Sequence, residues 1–569
     1  MSQPNIIGYE TRHVAYCTDY EKENDLLAIN EYIHYDDGTK KKSLRTLENY
    51  ERDFWLVKPG QRTFQDKRQW IDEESLDKYS TTHCDMYKKI NRILREQSKP
   101  GDELKFYRNN KEVLNSPYVF GCGTTPQSEI KYKYSTKWEK CLSPESSVAV
   151  LDTETDVLYG TGEIILITLS FKEKIFCGIV RSFLKNTPDH IAREQAHKVV
   201  NEKLGHILKE RNATVEFFFY DNAGDAVVGC IDHAHQWQPD FVIFWNMDFD
   251  MTKMQEALKK SGHKERDVFS DPRIPRKYRF FNYRQGPTKK MLHNGQERGL
   301  APYERWHVAN APATFFFACA MATYYRLRMA GGKIAGGYSL DATLKRHLDL
   351  GKLNFVQAEH VTGFEWHVLM QRTYPYEYIA YNIFDCIGVE MLDEKTKDFS
   401  LKFNTRCTVA DYTEFKSGPR ITEVKMSYVV PKYGQRLGVT GGDVRDELDK
   451  LVVKPEGWTM TLPSFIIEDS KVKVMKDWRH ANSLVYFNVS DLDITSTYPA
   501  VQVALNISKP TTVREVVKIE GLEEREKRRM FVDMVTGISS AVEVCNIGFG
   551  LPALDELLEI YEEDKKEMA

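Results

Sequence analysis

The stretch Val148–Asp156 constrains the fold most, because an apolar run leads there directly into acidic residues. Such a run predicts a buried β-strand with a polar end. Asp152 and Glu154 are two residues apart, so in a strand both side chains leave on one face. Neighbouring carboxylates raise each other's pKa unless a cation lies between them, and oxygen ligands of this kind suit Mg²⁺ or Mn²⁺. Taken alone, the stretch also fits an ordinary strand that ends in a polar turn.

Two later stretches repeat this chemistry. The range 241–250 is a second apolar strand followed by Asn246 and acids, and Tyr381 and Asp385 have the i,i+4 spacing that shares one helix face. Carboxylates from three elements can hold two divalent ions, of which one activates a water and the other stabilises the leaving oxygen of a phosphodiester. A tyrosine hydroxyl beside them can orient the attacking water. Together the stretches predict a metal-dependent nuclease site.

These motifs, in this order, resemble the 3′–5′ proofreading exonuclease of family B DNA polymerases, and most closely that of the replicative polymerases of T4-like bacteriophages. The resemblance implies an RNase H-like exonuclease domain over residues 146–395. It implies one metal ion held by Asp152, Glu154 and Asp385. A second ion would be held by Asp152 with Asp250, and the tyrosine of the third motif would orient the water.

The second motif departs from the family pattern in its spacing. In the family, three residues separate the asparagine from a Phe-Asp pair, whereas only Met247 and Asp248 separate Asn246 from Phe249-Asp250 here. Asp250 is assigned as the metal ligand because it follows the phenylalanine, and Asp248 is the alternative. Asn246 and Phe249 are expected to contact the DNA strand.

The range 273–298, between the second and third motifs, is rich in Lys and Arg, with aromatic residues interleaved. This pattern is typical of a single-strand path, in which cations neutralise phosphates and rings stack on bases. Turn signals at 285–287 and 293–295 make the segment a candidate for the β-hairpin that helps to move the primer end in the resembling polymerases. A mobile surface loop is the alternative. The residues expected to contact DNA here are Arg276, Lys277, Arg279, Lys289 and Lys290.

Residues 1–145 are interpreted as a mixed, β-leaning accessory domain, which the resemblance places against the exonuclease. Their patterns predict half-buried strands at 53–57 and 129–134 and a helix at 87–94. Tyrosines and basic residues are interleaved over 131–140 and could stack on and pair with single-stranded DNA. A solvated strand face is the favoured interpretation of that range.

The exonuclease region alternates strands and helices, as an α/β layer fold does. Paired strands are predicted at Ile164–Phe171 and Lys174–Val180, and a helix follows over 191–209. A later helix should begin at the capping residue Ser339 and end near Gly351, in a Gly-Lys-Leu string that also matches the T4-like pattern. This helix is interpreted as scaffold for the third-motif helix rather than as part of the chemistry.

A second chemical centre follows at Asp493–Pro499, whose Asp-Ile-Thr-Ser-Thr-Tyr-Pro string resembles the first palm motif of family B polymerases. The resemblance implies that Asp493 ligates the catalytic Mg²⁺ ions and that the backbone after it cradles a deoxynucleoside triphosphate. An unrelated strand and turn is the alternative. The nucleotide-binding residues would be Ile494, Thr495, Ser496, Thr497 and Tyr498.

The range 396–480 carries few motifs and is interpreted as a linker, with a return to the N-terminal domain and an entry into the palm. Its glycine-rich stretch Gly434–Gly442 predicts a loop. Residues 481–569 would be the first part of an α+β palm. The second palm carboxylate, the fingers and the thumb of the family have no matching strings in the sequence, although nucleotidyl transfer needs that carboxylate.

We therefore expect a multidomain α/β protein that is one subunit of a split DNA polymerase and carries its proofreading exonuclease. The expected partners are primer–template and single-stranded DNA, deoxynucleoside triphosphates, other replisome proteins, and a second polypeptide with fingers, remaining palm and thumb. One alternative is a stand-alone 3′–5′ single-strand exonuclease with a structural palm remnant. Another is a non-catalytic DNA-binding scaffold.

The composition of the chain limits the number of domains, the source of DNA contacts and the location that we expect. A chain of 569 residues has room for about three domains. Its net charge of −4 means that DNA contacts must come from local basic patches. The ten cysteines occur singly, which favours reduced thiols and a cytoplasmic location, in the host cell if the source is viral. The longest apolar run, Ala313–Tyr325, is too short to span a bilayer, so we expect it in the core and expect no membrane contact.

Overall fold

The computed structural model describes residues 4–64, 67–68, 70–97, 107–291, 296–329, 334, 336–403 and 414–439, and four short strands beyond them. The chain forms two compact units, Met1–Val453 and Lys454–Ala569. The described part is a mixed α/β structure with several sheets, which agrees with the expected multidomain α/β class. The palm motif, with Asp493 and residues 494–498, lies outside the described residues.

The N-terminal segment is built mainly from antiparallel strands. Its elements are β1 (Ile6–Thr18), β2 (Asp25–Tyr35), β3 (Lys40–Glu48), β4 (Glu51–Val57), β5 (Trp70–Asp72), β6 (Leu76–Thr82), α1 (Met86–Glu96), α2 (Asn110–Leu114), β7 (Val119–Phe120) and α3 (Pro126–Lys137). Strands β1, β2 and β3 form a meander, and β4 pairs with both β6 and β7. The strand predicted at 53–57 and the helix predicted at 87–94 are confirmed in β4 and α1.

The strand predicted at 129–134 is wrong, because these residues lie in α3. Thr125 caps this helix by accepting a hydrogen bond from the Ser128 backbone N–H, and Pro126 occupies the first turn, where its missing N–H costs nothing. Ile130 and Tyr134 are buried and four residues apart, so they share one helix face. The alternating residues therefore satisfy the helical period as well as the strand period.

The next region carries the largest sheet. Its elements are β8 (Val148–Thr155), β9 (Ile164–Phe171), β10 (Lys174–Val180), α4 (Asp189–Glu210), β11 (Thr214–Tyr220), α5 (Ala223–Trp237), β12 (Phe241–Phe244), α6 (Met247–Lys260), α7 (Glu265–Phe269), β13 (Asn282–Arg284), β14 (Lys289–Met291), β15 (Glu297–Gly299), β16 (Val308–Asn310), β17 (Phe316–Cys319), α8 (Ala320–Arg328), α9 (Leu340–Leu348), α10 (Phe364–Thr373), α11 (Pro375–Thr396), α12 (Asp398–Lys402), α13 (Gly418–Val429) and β18 (Gln435–Leu437).

Six of these strands form one mixed sheet in the order β11-β10-β9-β8-β12-β17. Strand β9 is antiparallel to β8 and β10, whereas β12 is parallel to β8 and β17, and β11 is parallel to β10. The predicted strands at Ile164–Phe171 and Lys174–Val180 are confirmed with these bounds, and the helix predicted over 191–209 lies in α4. The helix predicted after Ser339 is α9, and the Ser339 side chain caps it.

The parallel strands β8 and β12 position the candidate site, because the carboxyl ends of parallel strands meet at one edge of a sheet. Helix α11 packs across β8 and β9, and it also contacts α4 and α9. Every residue of α11 from Tyr378 to Glu390 is buried. The apolar run at 313–325 is divided between β17 and α8, and residues 313–324 are buried, as expected of core. Among the helices of the described residues, none has the length and apolar character to cross a membrane.

The basic segment contains the expected hairpin, since β14 pairs antiparallel with β15; residues 292–295 between them lie outside the described part. The loop predicted at Gly434–Gly442 is wrong at 435–437, because β18 pairs antiparallel with β5 and so returns the chain to the N-terminal strands. Residues 440–442 lie outside the described part. The strands described in the second unit are β19 (Val474–Met475), β20 (Val485–Tyr486), β21 (Thr512–Val516) and β22 (Phe531–Val535), in two antiparallel pairs.

Candidate metal centre

Three carboxylates meet where β8 ends beneath α11. Asp152, Glu154 and Asp385 each offer an oxygen, and these oxygens all lie within 4.8 Å of one another. Strand β8 presents Asp152 and Glu154 on the same face because they are two residues apart. Helix α11 supplies Asp385, which is 5 % exposed, while the two strand carboxylates are half-buried. An acidic triad of this geometry could hold a metal ion.

Two side chains of α11 that the sequence analysis missed fix the strand carboxylates. The Tyr378 hydroxyl donates to Glu154 Oε2 at 2.5 Å, and Asn382 Nδ2 donates to Asp152 Oδ2 at 2.7 Å. Tyr378, Asn382 and Asp385 follow one another at spacings of four and three residues, so they lie on one helix face. That spacing in the sequence was the available signal for both residues.

Asp250, in α6, is held by the residue that lies between the two strand carboxylates. The intervening Thr153 donates its backbone N–H and its hydroxyl to Asp250 Oδ1, at 3.1 and 2.7 Å. Asp250 is not one of the triad carboxylates, but its charge raises the pKa of Asp152 more than any other neighbouring charge does. Asp248 is held elsewhere, because its Oδ1 accepts from the Tyr283 hydroxyl at 2.8 Å and from Gln285 Nε2 at 2.9 Å. The geometry places Asp250, rather than Asp248, beside the triad.

Lys352 is a further site residue that the sequence analysis missed. Its Nζ donates to the Tyr381 hydroxyl at 2.7 Å and pairs with Asp385 Oδ2 at 2.5 Å. Burial lowers the pKa of Lys352, but Asp385 and Tyr381 raise it more, so the lysine stays charged. The Gly-Lys-Leu string gave the signal, although we interpreted it only as the end of a scaffold helix. Tyr381 therefore lies at the site with Asp385, as their spacing predicts.

The site carries more negative charge than its neighbours compensate. Burial raises the pKa of Asp152 well above its usual range, and Asp250, Glu154 and Asp385 raise it further. Burial also raises the pKa of Glu154 to about 8 and that of Asp250 to about 7, and it raises the pKa of Asp385 against the opposing effect of Lys352. Within the described part of the chain, Asp385 Oδ1 is buried without a hydrogen-bond partner. These features fit a site for a divalent cation.

Gln371 of α10 holds the chain where it leaves β8. Its Oε1 accepts from the backbone N–H groups of Val157 and Leu158, and its Nε2 donates to the Thr155 carbonyl. His367 Nδ1 lies 2.8 Å from the Tyr378 hydroxyl, so α10 also holds the tyrosine that contacts Glu154. Helix α10 thus supports the site in two ways, by binding the backbone after β8 and by contacting the Tyr378 side chain.

The residues predicted to contact DNA differ in their exposure and in the partners that hold them. Asn246 is exposed just before α6 and Phe249 is 44 % exposed in its first turn, so both are accessible near Asp250. Arg276 is exposed and pairs with Asp267 at 3.0 Å. Arg279 donates to the carbonyls of Ile274 and Pro272, which ties it to its own loop.

The hairpin is more open than the loop before it. Lys290 is exposed, and Lys289 pairs with Glu297 across the hairpin at 2.8 Å. Lys277 lies against the Tyr278 ring. The interleaved aromatics do not form the expected base-stacking path as a set, because Tyr278 is 1 % exposed and Phe281 stacks on the core residue Phe269. Their apolar rings were needed in the core, which the local sequence did not reveal.

Comparison with models of protein families and with curated proteins finds no match to this chain. Evidence for function therefore comes from the geometry of the carboxylate site and from the sequence motifs that form it. The site combines a three-carboxylate triad, a fourth buried carboxylate that is bonded to Thr153, a lysine and two tyrosines.

Proposed function

We propose that this chain is a metal-dependent 3′–5′ exonuclease that removes nucleotides from single-stranded DNA ends. The observation that carries the proposal is the meeting of Asp152, Glu154 and Asp385 within 4.8 Å, with Tyr381 and Lys352 beside Asp385. The first and third motifs, more than 230 residues apart, supply the carboxylates and the tyrosine, and the Gly-Lys-Leu string supplies the lysine. An arrangement that needs three separate elements to converge is much more specific than one acidic strand.

The donor set fits Mg²⁺ or Mn²⁺, because it consists of carboxylate oxygens alone. One ion would be held by Asp152, Glu154 and Asp385. A second would be held by Asp152 with Asp250, whose charge acts strongly on Asp152. When bound, the ions would supply an activated water and stabilise the leaving oxygen of the phosphodiester.

The protein side chains would position this chemistry. Tyr378 and Asn382 keep the carboxylates of Glu154 and Asp152 in fixed orientations. Lys352 donates to the Tyr381 hydroxyl and so fixes its direction, as a residue that orients the attacking water requires. The ammonium group of Lys352 also adds positive charge where a scissile phosphate would approach the triad.

The topology supports an RNase H-like domain. The strand order β10-β9-β8-β12-β17 has β9 as its antiparallel member and places the acids at the carboxyl ends of β8 and β12. A late helix, α11, crosses β8 and β9 and contributes the last carboxylate.

We further propose that the chain belongs to a replicative family B polymerase of the T4-like type and acts in the cytoplasm. The Asp493–Pro499 string supports this, with Asp493 as a Mg²⁺ ligand and Ile494–Tyr498 as the triphosphate cradle. A second polypeptide would supply the fingers, the remaining palm and the thumb. Primer–template DNA, deoxynucleoside triphosphates and other replisome proteins would be its partners.

A 5′-labelled primer on a template, incubated with Mg²⁺ and all four deoxynucleoside triphosphates, tests both proposals. The exonuclease proposal predicts primer shortening by the wild-type chain and none by Asp152→Ala purified in the same way. The split-polymerase proposal predicts extension only after the second polypeptide is added. Binding without shortening would contradict the exonuclease, and extension by this chain alone would contradict the split.

A further inference from the structure

Apart from the carboxylates, the structure has a candidate binding site where the N-terminal segment meets α13 and β18. A cavity of about 360 Å³ lies between β4, α3, α13 and β18. This volume falls in the range of small-molecule sites in proteins, about 300–1,000 Å³. The tyrosines and basic residues of 131–140 have no role in the proposed exonuclease site. Two of them, Tyr132 and Lys133, line this cavity.

One wall of the cavity is aromatic. The rings of Tyr132 and Tyr428 stack with centroids 4.2 Å apart and an interplanar angle of 13°. Trp55 lines the same cavity, and the Arg436 guanidinium lies 3.6 Å from the centre of its ring. Both tyrosines and the tryptophan are half-buried, so each keeps part of its surface exposed. Such walls favour planar, conjugated ligands.

The remaining lining is positively charged. Four cations, Arg52, Lys133, Lys432 and Arg436, and two anions, Asp53 and Glu129, line the cavity, which gives a net charge of +2. Two of these residues also have ion-pair partners outside the lining: Asp53 pairs with Lys78, and Arg436 pairs with Glu73. Because these partners add one positive and one negative charge, the net charge of +2 does not change.

Arg52 is the deepest of these cations. Its side chain is 1 % exposed, and its two Nη atoms donate to the carbonyls of Thr124 and Gly121. Its Nε has no hydrogen-bond partner within the described part, and the Glu129 carboxylate lies 3.8 Å from it. Glu129 thus neutralises Arg52 only at a distance, and the guanidinium contributes positive potential at the floor of the cavity.

We propose that this cavity binds a nucleotide, with the base against the Tyr132/Tyr428 wall and the phosphate near Lys432 and Arg52. A nucleotide combines the two properties that the lining selects, a planar conjugated ring and negative charge. The ligand could be a free mononucleotide or one nucleotide of a single strand, since both present the same chemistry. The site is independent of the carboxylate triad and does not rest on the exonuclease proposal.

The test is calorimetric titration of the full-length chain in chelator, which silences the proposed exonuclease, with three probes. These are a deoxynucleoside monophosphate, the matching deoxynucleoside and a short single-stranded oligonucleotide. We expect the monophosphate to bind more tightly than the deoxynucleoside. Tyr132→Ala should weaken its binding by about tenfold, the order measured for loss of one stacking partner. Lys432→Glu should weaken it by a few-fold, and less at high salt.

Lys425→Glu is the matched control, because Lys425 is exposed on the same helix as Tyr428 and does not line the cavity. It should bind as the wild type does. Binding of the oligonucleotide alone, lost in Tyr132→Ala and Lys432→Glu, would assign the site to a strand rather than to a free nucleotide. Failure of both nucleotide probes to bind, or equal binding by all variants, would overturn the proposal, whatever the chain's nuclease activity.

Discussion

Two buried aspartates flank β12, and the pKa of one is lowered while that of the other is raised. Asp240 precedes the strand and Asp250 follows it, and each is 3 % exposed. Burial by itself raises the pKa of both. At Asp240, Lys42 and Arg12 reverse that effect and lower the pKa to about 2, whereas the pKa of Asp250 is raised to about 7.

The difference lies in the partners that each aspartate finds. Asp240 accepts from Lys42 Nζ at 2.8 Å and from the backbone and hydroxyl of Ser147. Asp250 accepts from Thr153 but has Asp152 as its charged neighbour. Buried carboxylates without a cationic partner lower the stability of the folded protein. A buried carboxylate that is paired with a cation therefore indicates a structural role, whereas a cluster without enough cations indicates a site for a metal ion.

Removing the compensated aspartate should have the largest effect on stability. Asp240→Ala leaves the Lys42 ammonium buried without its carboxylate, which should cost about 3–5 kcal/mol of the free energy of unfolding. Urea unfolding followed by tryptophan fluorescence measures it. Nuclease activity well below the melting temperature should stay close to that of the wild type. A loss of less than about 1 kcal/mol would show that Asp240 and Lys42 do not stabilise each other as their contact indicates.

The two acids of α6 should separate by activity. Asp250→Ala should lower the rate of single-strand digestion by about 100-fold or more, because it removes a carboxylate beside Asp152. Asp248→Ala removes a partner of Tyr283 and Gln285 and should lower the rate by less than about tenfold. If Asp248→Ala lowered the rate more than Asp250→Ala, Asp248 rather than Asp250 would be the metal ligand.

Tyr378→Phe should have a smaller effect, through metal affinity. The substitution removes one hydroxyl and leaves Glu154 without the donor that orients it. Loss of such an outer partner weakens metal binding by about 10–100-fold. The checks are Mn²⁺ binding by calorimetry and the Mn²⁺ concentration that gives half-maximal activity. Activity restored by high Mn²⁺ identifies a positioning role, while a loss that Mn²⁺ does not restore would place Tyr378 in the chemistry itself.

The smallest expected effect is on the pH dependence of the melting temperature. The folded-state pKa values of Glu154, about 8, and Asp250, about 7, exceed the values of 4.5 and 3.8 for unperturbed groups. The stability that these raised pKa values contribute is therefore fully present below about pH 4, and it is lost progressively as the pH rises through the folded-state values of about 7 and 8. In chelator, the melting temperature should fall by several degrees between about pH 5 and pH 8 and level off above that range.

Saturating Mg²⁺ should abolish most of that fall, because a bound cation replaces the protons. Glu154→Gln should flatten the metal-free profile, since it removes a group with a raised pKa. If the melting temperature in chelator rose over the same pH range, the carboxylates of the site would not have the raised pKa values described above.

Much of this contrast could be predicted from the sequence, and the rest depended on tertiary packing. The spacing of Asp152 and Glu154 predicts a shared strand face, and that of Tyr381 and Asp385 a shared helix face, because both periods are local. Strand periodicity at 129–134 was misleading, since Ile130 and Tyr134 satisfy two periods at once. The Gly-Lys-Leu string drew attention to Lys352, but its partner Asp385 is 33 positions away, and the pairing depends on tertiary packing such as that of α9 against α11.

Digestion of a 5′-labelled single-stranded oligonucleotide tests the central claim most directly. Wild-type chain should shorten it stepwise from the 3′ end with Mg²⁺ and not in chelator. Asp152→Ala should be slower by at least about 1,000-fold while melting no lower than the wild type in chelator. Digestion by Asp152→Ala at the wild-type rate, or an oligonucleotide left intact by the wild-type chain with Mg²⁺, would contradict the account.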